Sequence, residues 1–312
     1  MEIVSLSLGS SRRDFRLTLT VCGQRVRLTR LGVDGQVARL ASLLREYDGR
    51  AAAIGLGGIN FDYRLGPRRY HIPLGQRLRS LTKDTPLVDG SGYKEAIEAQ
   101  VPRWLEEKGI LLAGRQVLVV SVLDRYHLTR ALVEIGARVW VGDAVFGLKI
   151  PLLFSLPTFQ VIAAATLPLL RLLPVSWLYP LGRKQEEVVP RFSHLFRRAE
   201  IIAGDFHFLR RYLPWDLAGK TIIASTINDE DVGLLRKRGA SVLVTLSPFL
   251  TVSSPQRSVI TTSGFVSGRA FGANAMEALL VALAGERGPL SKEHYRQLWR
   301  QTGLESTVIR FD

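Results

Sequence analysis

The fold is decided by residues 116–149, QVLVVSVLDRYHLTRALVEIGARVWVGDAVFGLK. Val117–Val120 is a short apolar run, the pattern of a strand buried on both faces. Leu128, Leu132 and Ile135 recur at near-helical spacing, with Ala131 beside them and Arg130 and Glu134 opposite. Gly136 is placed to end that helix, because glycine enters the left-handed region without steric cost. Val139–Val141 then reads as a second strand, followed by Gly142-Asp143. Two parallel strands joined by a right-handed helical crossover form the unit of nucleotide-binding α/β sheets. In such sheets an acidic residue after the second strand holds a nucleotide ribose, and Asp143 has that position. The first turn reads Ser121-Val122-Leu123-Asp124-Arg125 and lacks the G-x-G-x-x-G pattern.

The same unit recurs downstream. Ile201–Ala203 predicts a strand ending in Gly204-Asp205, and Phe206–Leu213 a helix stopped by Pro214. Thr221–Thr226 predicts another strand, Asp229–Arg238 a helix, and Val242–Val244 a strand. "RGASVLV" repeats the logic of "IGARVWV", as a doubly wound sheet requires. Upstream, residues 1–31 alternate apolar and polar residues as short strands do. Val37, Leu40 and Leu44 then mark a helix, and Ala51–Ile54 a strand that runs into the glycine turn 55–58. A further strand near Thr85–Asp89 precedes a helix from Gly90 to about Lys108. Near the C-terminus, helices are expected over 274–283 and 292–302, and a strand over 307–310.

The expected class is α/β: a Rossmann-like, doubly wound, mostly parallel sheet preceded by a smaller α/β domain. The boundaries fall at residues 1–112 for the smaller, substrate-type domain and 113–265 for the nucleotide-type domain. Residues 150–182 form an apolar helical insertion, and 266–312 supply C-terminal helices that pack back on the cleft. No charged residue occurs from Ile150 to Leu170, which Pro151, Pro157 and Pro168 break into short helices. A buried lid, a homodimer interface and membrane contact all suit that stretch, the lid being favoured.

The 312 residues carry a formal charge of +14, and the chain has a single cysteine, Cys22. No intrachain disulfide or cysteine metal cluster is therefore expected, and the five histidines show no paired metal-ligand spacing. Arginines supply the charge as scattered doublets, not one block, and no zinc-finger or RNP motif accompanies them. A solvated arginine-rich surface or a phosphate-bearing ligand fits this better than specific nucleic-acid binding. The N-terminus MEIVSLSLGSS lacks a basic region before a long apolar run, so a cytoplasmic setting is expected.

Four strand ends converge on one edge of the second sheet, where ligands bind in open α/β folds: Ser121–Arg125, Gly142-Asp143, Gly204-Asp205 and Ser225–Asn228. Ser121, Asp124, Arg125, Gly142, Asp143, Asp205, Thr226 and Asn228 are accordingly the candidate cofactor residues. Lys94, in the first turn of its helix, is the candidate for proton transfer, with His207 as a second acid–base group. The small loop holding Ser10 and Arg12, the glycines Gly57 and Gly58, and the Asn274/Glu277 pair on one helical face are candidate substrate contacts.

The strings LGSSRRD (8–14), AIGLGGI (53–59), VDGSGYK (88–94), GDFHFLRRYLP (204–214) and GRAFGANAMEALLVAL (268–283) span nearly the whole chain. On them it resembles bacterial quinate/shikimate 5-dehydrogenases of a divergent type. The resemblance implies an NAD(P)-dependent oxidoreductase acting on a small hydroxylated, anionic substrate. It also implies a catalytic lysine–aspartate pair, for which Lys94 and Asp89 stand in by position. The family's N-V-T-x-P-x-K lysine motif and glycine-rich turn are absent. Asp143 favours NAD over NADP, because a carboxylate repels a 2′-phosphate. Two rivals stay open: a Rossmann-like ligand-binding or scaffolding protein without redox activity, and a membrane-surface enzyme with a lipid-like substrate.

Overall fold

The computed structural model describes residues 1–173, 188–250, 268–287 and 290–311. The rest of the apolar insertion (174–182) lies outside them, as do residues 183–187 and 251–267. Two sheets carry the chain. The first contains β1 (Glu2–Ser7), β2 (Phe15–Val21), β3 (Gln24–Gly32), β4 (Ala53–Gly57) and, after a hairpin of β5 (Asp62–Leu65) and β6 (Arg68–His71), β7 (Leu87–Val88). Its order is β2-β3-β1-β4-β7, parallel except for β2. The second holds β8 (Gln116–Val119), β9 (Arg138–Val141), β10 (Ile201–Asp205), β11 (Thr221–Ser225) and β12 (Val242–Thr245). Past the short pair β13 (Phe249–Leu250) and β14 (Arg269–Ala270), β15 (Thr307–Arg310) joins it. Its order is β9-β8-β10-β11-β12-β15, with only β15 antiparallel.

Among the helices are α1 (Val37–Tyr47), α2 (Pro73–Arg79), α3 (Ser91–Ala96), α4 (Val101–Glu107), α5 (Tyr126–Glu134) and α6 (Asp143–Phe146). They continue with α7 (Leu156–Leu170), α8 (Ser193–Arg198), α9 (Phe206–Tyr212), α10 (Asp229–Lys237), α11 (Ala273–Ala284) and α12 (Lys292–Thr302). β8 divides its side chains as a doubly buried strand must. Val117 and Val119 join α5 and α7 in one core, and Leu118 and Val120 join α8 and α9 in the other. After β9 the chain returns past β8 to build β10 on its far side. This reversal between β8 and β10 is the switch point at which open sheets bind ligands.

Three expectations change. The helix expected from Gly90 to Lys108 is broken into α3, a 3₁₀ turn (Glu98–Gln100) and α4, because Pro102 has no N–H to continue the ladder. The strand expected at Ala51–Ile54 runs instead through Gly57, so Gly55 and Gly57 lie inside it. The described part of the insertion contains one 15-residue helix, α7, with Pro157 tolerated in its first turn and Pro168 near its end. Phe159, Ala163 and Leu167 face inward, whereas Val161 and Leu169 are each 73% exposed. Among the described residues no helix is long and apolar enough to cross a membrane.

The C-terminal helices complete the first domain. α11 lies on the face of the first sheet opposite α1, with Met276, Leu279 and Leu280 packed against Ile3, Ala53 and Tyr93. The glycines of β4 permit this approach. A Cβ on Gly55 would occupy the space of the Asn274 carbonyl oxygen. Gly55→Ala should therefore destabilise the chain by ~1–3 kcal/mol through overpacking. An unchanged urea midpoint would show that α11 yields easily.

Candidate functional site

The carboxyl ends of both sheets open on one cleft of about 170 Å³. The first sheet contributes Ser5, Ser7, Gly57 and Gly58, and the loops beyond it Asn60, Asp89 and Lys94. The second contributes Asp124, Arg125, Asp205, His207, Thr226 and Asn228, and α11 lends Asn274. Eleven of the candidate residues thus line one cleft. Ser10, Arg12, Ser121, Gly142, Asp143 and Glu277 do not line it.

At the middle of the cleft, Lys94 Nζ donates to Asp124 Oδ1 at 2.6 Å. Asn60 bridges the pair, with Nδ2 donating to Asp124 at 3.1 Å and Oδ1 accepting from Lys94 at 3.4 Å. Burial opposes the Asp124 charge, but Lys94 and Arg125, with the hydrogen bonds from Lys94 and Asn60, outweigh it and hold the carboxyl below the usual range. The partner of Lys94 is therefore Asp124, not Asp89. The Asp89 carboxylate is engaged by backbone, accepting from Phe61 N at 2.6 Å and Ser91 N at 3.0 Å, and so orders the loops that present Asn60 and Lys94.

Arg125 is committed to the interior. Its Nη1 donates to both oxygens of Glu98 at 3.0 and 2.8 Å, and its Nη2 to Ser225 Oγ at 2.6 Å. Glu98 is 1% exposed. Burial raises its pKa first, against the opposing pull of Arg125.

Arginines gather at the other end. Arg13, not Arg12, lines the cleft, donating to Thr226 O at 3.1 Å and pairing with Asp231 at 3.2 Å. Arg30, 8% exposed within a strand, pairs with Asp14 at 2.7 Å. Arg269 stacks 4.3 Å over Phe15, and its Nε is buried with no hydrogen-bond partner among the described residues. Burial, with Arg30 and Arg13 nearby, lowers its pKa to about 10, which leaves it charged at neutral pH. His207 is 7% exposed, and its Nδ1 is buried with no partner among the described residues. Burial, then Arg13, Arg30 and Arg210, push its pKa well below the ordinary value, so the ring is neutral. A neutral imidazole and three guanidinium groups form an end suited to a carboxylate or phosphate. The doublet Arg12-Arg13 signalled this end. Arg30 and Arg269 left no signal, because strand alternation assigns such residues to the surface.

Glu277 turns away from the cleft. It accepts from Tyr295 Oη at 2.8 Å and Gly92 N at 3.1 Å, fastening α3 to α11 and α12. Asn274, by contrast, reaches the cleft and donates to Ser5 Oγ at 2.9 Å. Ser10 caps the 3₁₀ turn Ser11–Arg13, and its carbonyl accepts from Arg30. Gly142 gives room to Phe146.

Asp143 does not sit where a ribose would need it. Its carboxylate accepts from Val122 N at 2.6 Å and Leu123 N at 3.0 Å, the amides of the turn after β8. A dinucleotide pyrophosphate would need those donors. Nearby helix starts are capped internally as well: Asp205 accepts from His207 N, and Asn228 forms a capping box with Asp231. The residues present do not fit a dinucleotide at the usual turn, and the argument for NAD from Asp143 falls with that geometry.

Burial raises the Asp143 pKa to about 7, outweighing the amide bonds that favour its charge. A carboxyl raised in the folded state contributes stability below its ordinary pKa of 3.8, and this is lost as pH rises through about 7. Asp143→Asn should therefore flatten the stability profile between pH 4 and 7, measured by urea unfolding. The same slope in the variant would assign the titration elsewhere.

Residues 92–259 and 256–311 match the family model described as "Domain of unknown function (DUF8754)". Residues 2–89 match "Domain of unknown function (DUF8753)". The chain belongs to the DUF8754 family. No curated protein matches it. Among solved structures it is similar to a hetero-hexameric glutamate dehydrogenase from Thermus thermophilus, at 13% identity and a TM-score of 0.42, covering 97% of this chain and 73% of that one. It is also similar to a protein assigned as a malic enzyme (malate oxidoreductase), at 11% identity and TM-score 0.35, covering 96% and 84%. A glucose-galactose binding protein from Geobacillus stearothermophilus gives 9% identity and TM-score 0.35, covering 99% and 96%. Dehydrogenases and sugar-binding proteins thus stand side by side, and at these TM-scores neither likeness bears on the site.

Proposed function

We propose that this DUF8754 family member is an enzyme that takes a small hydroxylated anion into the interdomain cleft and moves a proton at its hydroxyl or carbonyl oxygen. That is the half-reaction an alcohol–ketone oxidoreductase requires of its protein. The observation that carries this reading is the Lys94–Asp124 pair, 2.6 Å apart at the junction of both sheet edges. Asp124 pairs with Lys94 and orients it, and Asn60 hydrogen-bonds to both. A charged lysine donates to a developing alkoxide and takes the proton back in the reverse direction. Arg13, Arg30 and Arg269 hold the anionic group, and neutral His207 accepts or donates a hydrogen bond beside it.

The quinate/shikimate resemblance implies a nicotinamide dinucleotide as the hydride carrier. Its pyrophosphate does not fit the turn that Asp143 caps. That capping favours a second reading, a ligand-binding protein that uses the cleft without redox chemistry.

Titration with NADH and NADPH, followed by turnover of quinate and shikimate, separates the two. On the enzyme reading, Lys94→Ala lowers kcat by about 10²- to 10⁴-fold while the folded chain still binds quinate. Quinate binding with no response to either nucleotide supports the second reading. Wild-type turnover in Lys94→Ala overturns the assignment of Lys94.

A further inference from the structure

A second cavity of about 140 Å³ opens where the cleft meets the turn after β8. It shares Tyr63 and Asp124 with the cleft, so the two spaces meet at the proton-transfer pair. Its walls are apolar: Leu123, Phe154, Phe208 and the inner face of α7 through Phe159, Ala163 and Leu167. The carboxyl groups at its mouth belong to Asp124 and Asp143, and the turn amides there already serve Asp143. A diphosphate placed at this mouth would meet two carboxyl groups and no free amide among those of Val122 and Leu123. An uncharged hydrocarbon meets mostly surfaces of its own kind. Ser121 Oγ, buried and without a hydrogen-bond partner among the described residues, lines the same cavity and offers one hydroxyl to an ether or ester oxygen near the mouth.

We infer that the ligand is amphiphilic: its anionic end lies toward the arginines, its hydroxyl or carbonyl group at Lys94–Asp124, and an apolar arm in the cavity beneath α7. This deepens the proposed function and rests on its reading of the cleft. It also gives the α7 insertion a role, since the helix walls a binding space opposite its exposed side.

The test measures dissociation constants on the full chain by calorimetry, using quinate as the probe that fills the cleft alone and 3-hydroxyalkanoates from butanoate to dodecanoate. Affinity is expected to rise about fourfold per methylene until the cavity is full, then level off. Ala163→Trp, which fills the cavity from α7, should abolish that gradient and leave quinate binding within about twofold. Lys94→Ala should weaken every member alike. A flat series on the wild-type chain overturns the inference even if Ala163→Trp fails to fold, and leaves the proposed function standing if quinate binds. A gradient that survives in a folded Ala163→Trp also overturns it. Absence of quinate binding beside an intact, Ala163→Trp-sensitive gradient overturns the small-polar-anion reading and upholds the apolar site.

Discussion

The cleft depends on one buried ion pair. Arg125 leaves the turn after β8 and meets Glu98 in the 3₁₀ turn between α3 and α4, with both side chains almost wholly removed from water. The same guanidinium donates to Ser225 at the end of β11 and lies 3.6 Å from Asp205 at the end of β10. Desolvating two such charges costs about as much as their attraction returns, so the pair adds little net stability. What it fixes is position. Three strand ends of the second sheet are held to a single rigid group, and the segment carrying Lys94 is held to the same group through Glu98. Loss of either partner would leave an uncompensated buried charge, so the geometry of the cleft and the integrity of the fold are coupled.

From that anchor the cleft acquires a polarity. At one end Arg13, Arg30 and Arg269 share the cleft lining with a histidine that burial keeps neutral. At the centre, Lys94 and Asp124 compensate each other, with Asn60 satisfying both. Beyond them the surface turns apolar beneath α7. In a region of reduced dielectric these differences are worth more than in water, and they sort a ligand by its parts. The turn after β8 stands apart from this pattern. Asp143 occupies its amides as a phosphate would, which makes the second sheet nucleotide-type in topology but closed at its usual phosphate seat.

Much of this was legible in the residues. Hydrophobic periodicity predicts the doubly buried strand Val117–Val120, the helix over Leu128 and Leu132, and the repeated strand–helix units, because burial pattern follows directly from local spacing. Convergence of strand ends predicts Asp124, Asp205, Thr226 and Asn228 on one edge, and Lys94, His207 and Asn274, expected as separate candidates, line the same cleft. What the sequence concealed depends on contacts far apart in the chain. Asp143 sits two residues past its strand in either role, and only the amides of Val122 and Leu123 decide between them. The resemblance put Asp89 beside Lys94 by position, but backbone amides of Phe61 and Ser91 engage Asp89, and the partner is Asp124, a residue the sequence placed only among the cofactor candidates. Arg30 reads as a surface residue of an alternating strand and is buried because Asp14 and Ser10 close over it.

The central claim is that a hydroxylated anion binds between the two sheet edges with its oxygen at Lys94 and Asp124. A crystal structure of the chain grown with quinate tests it most directly. The account predicts a quinate hydroxyl within hydrogen-bond distance of Lys94 Nζ, the carboxylate against Arg13 or Arg269, and Asp143 still bound to Val122 and Leu123. Quinate seated at the turn after β8 with Asp143 displaced, or bound outside the cleft, would contradict it.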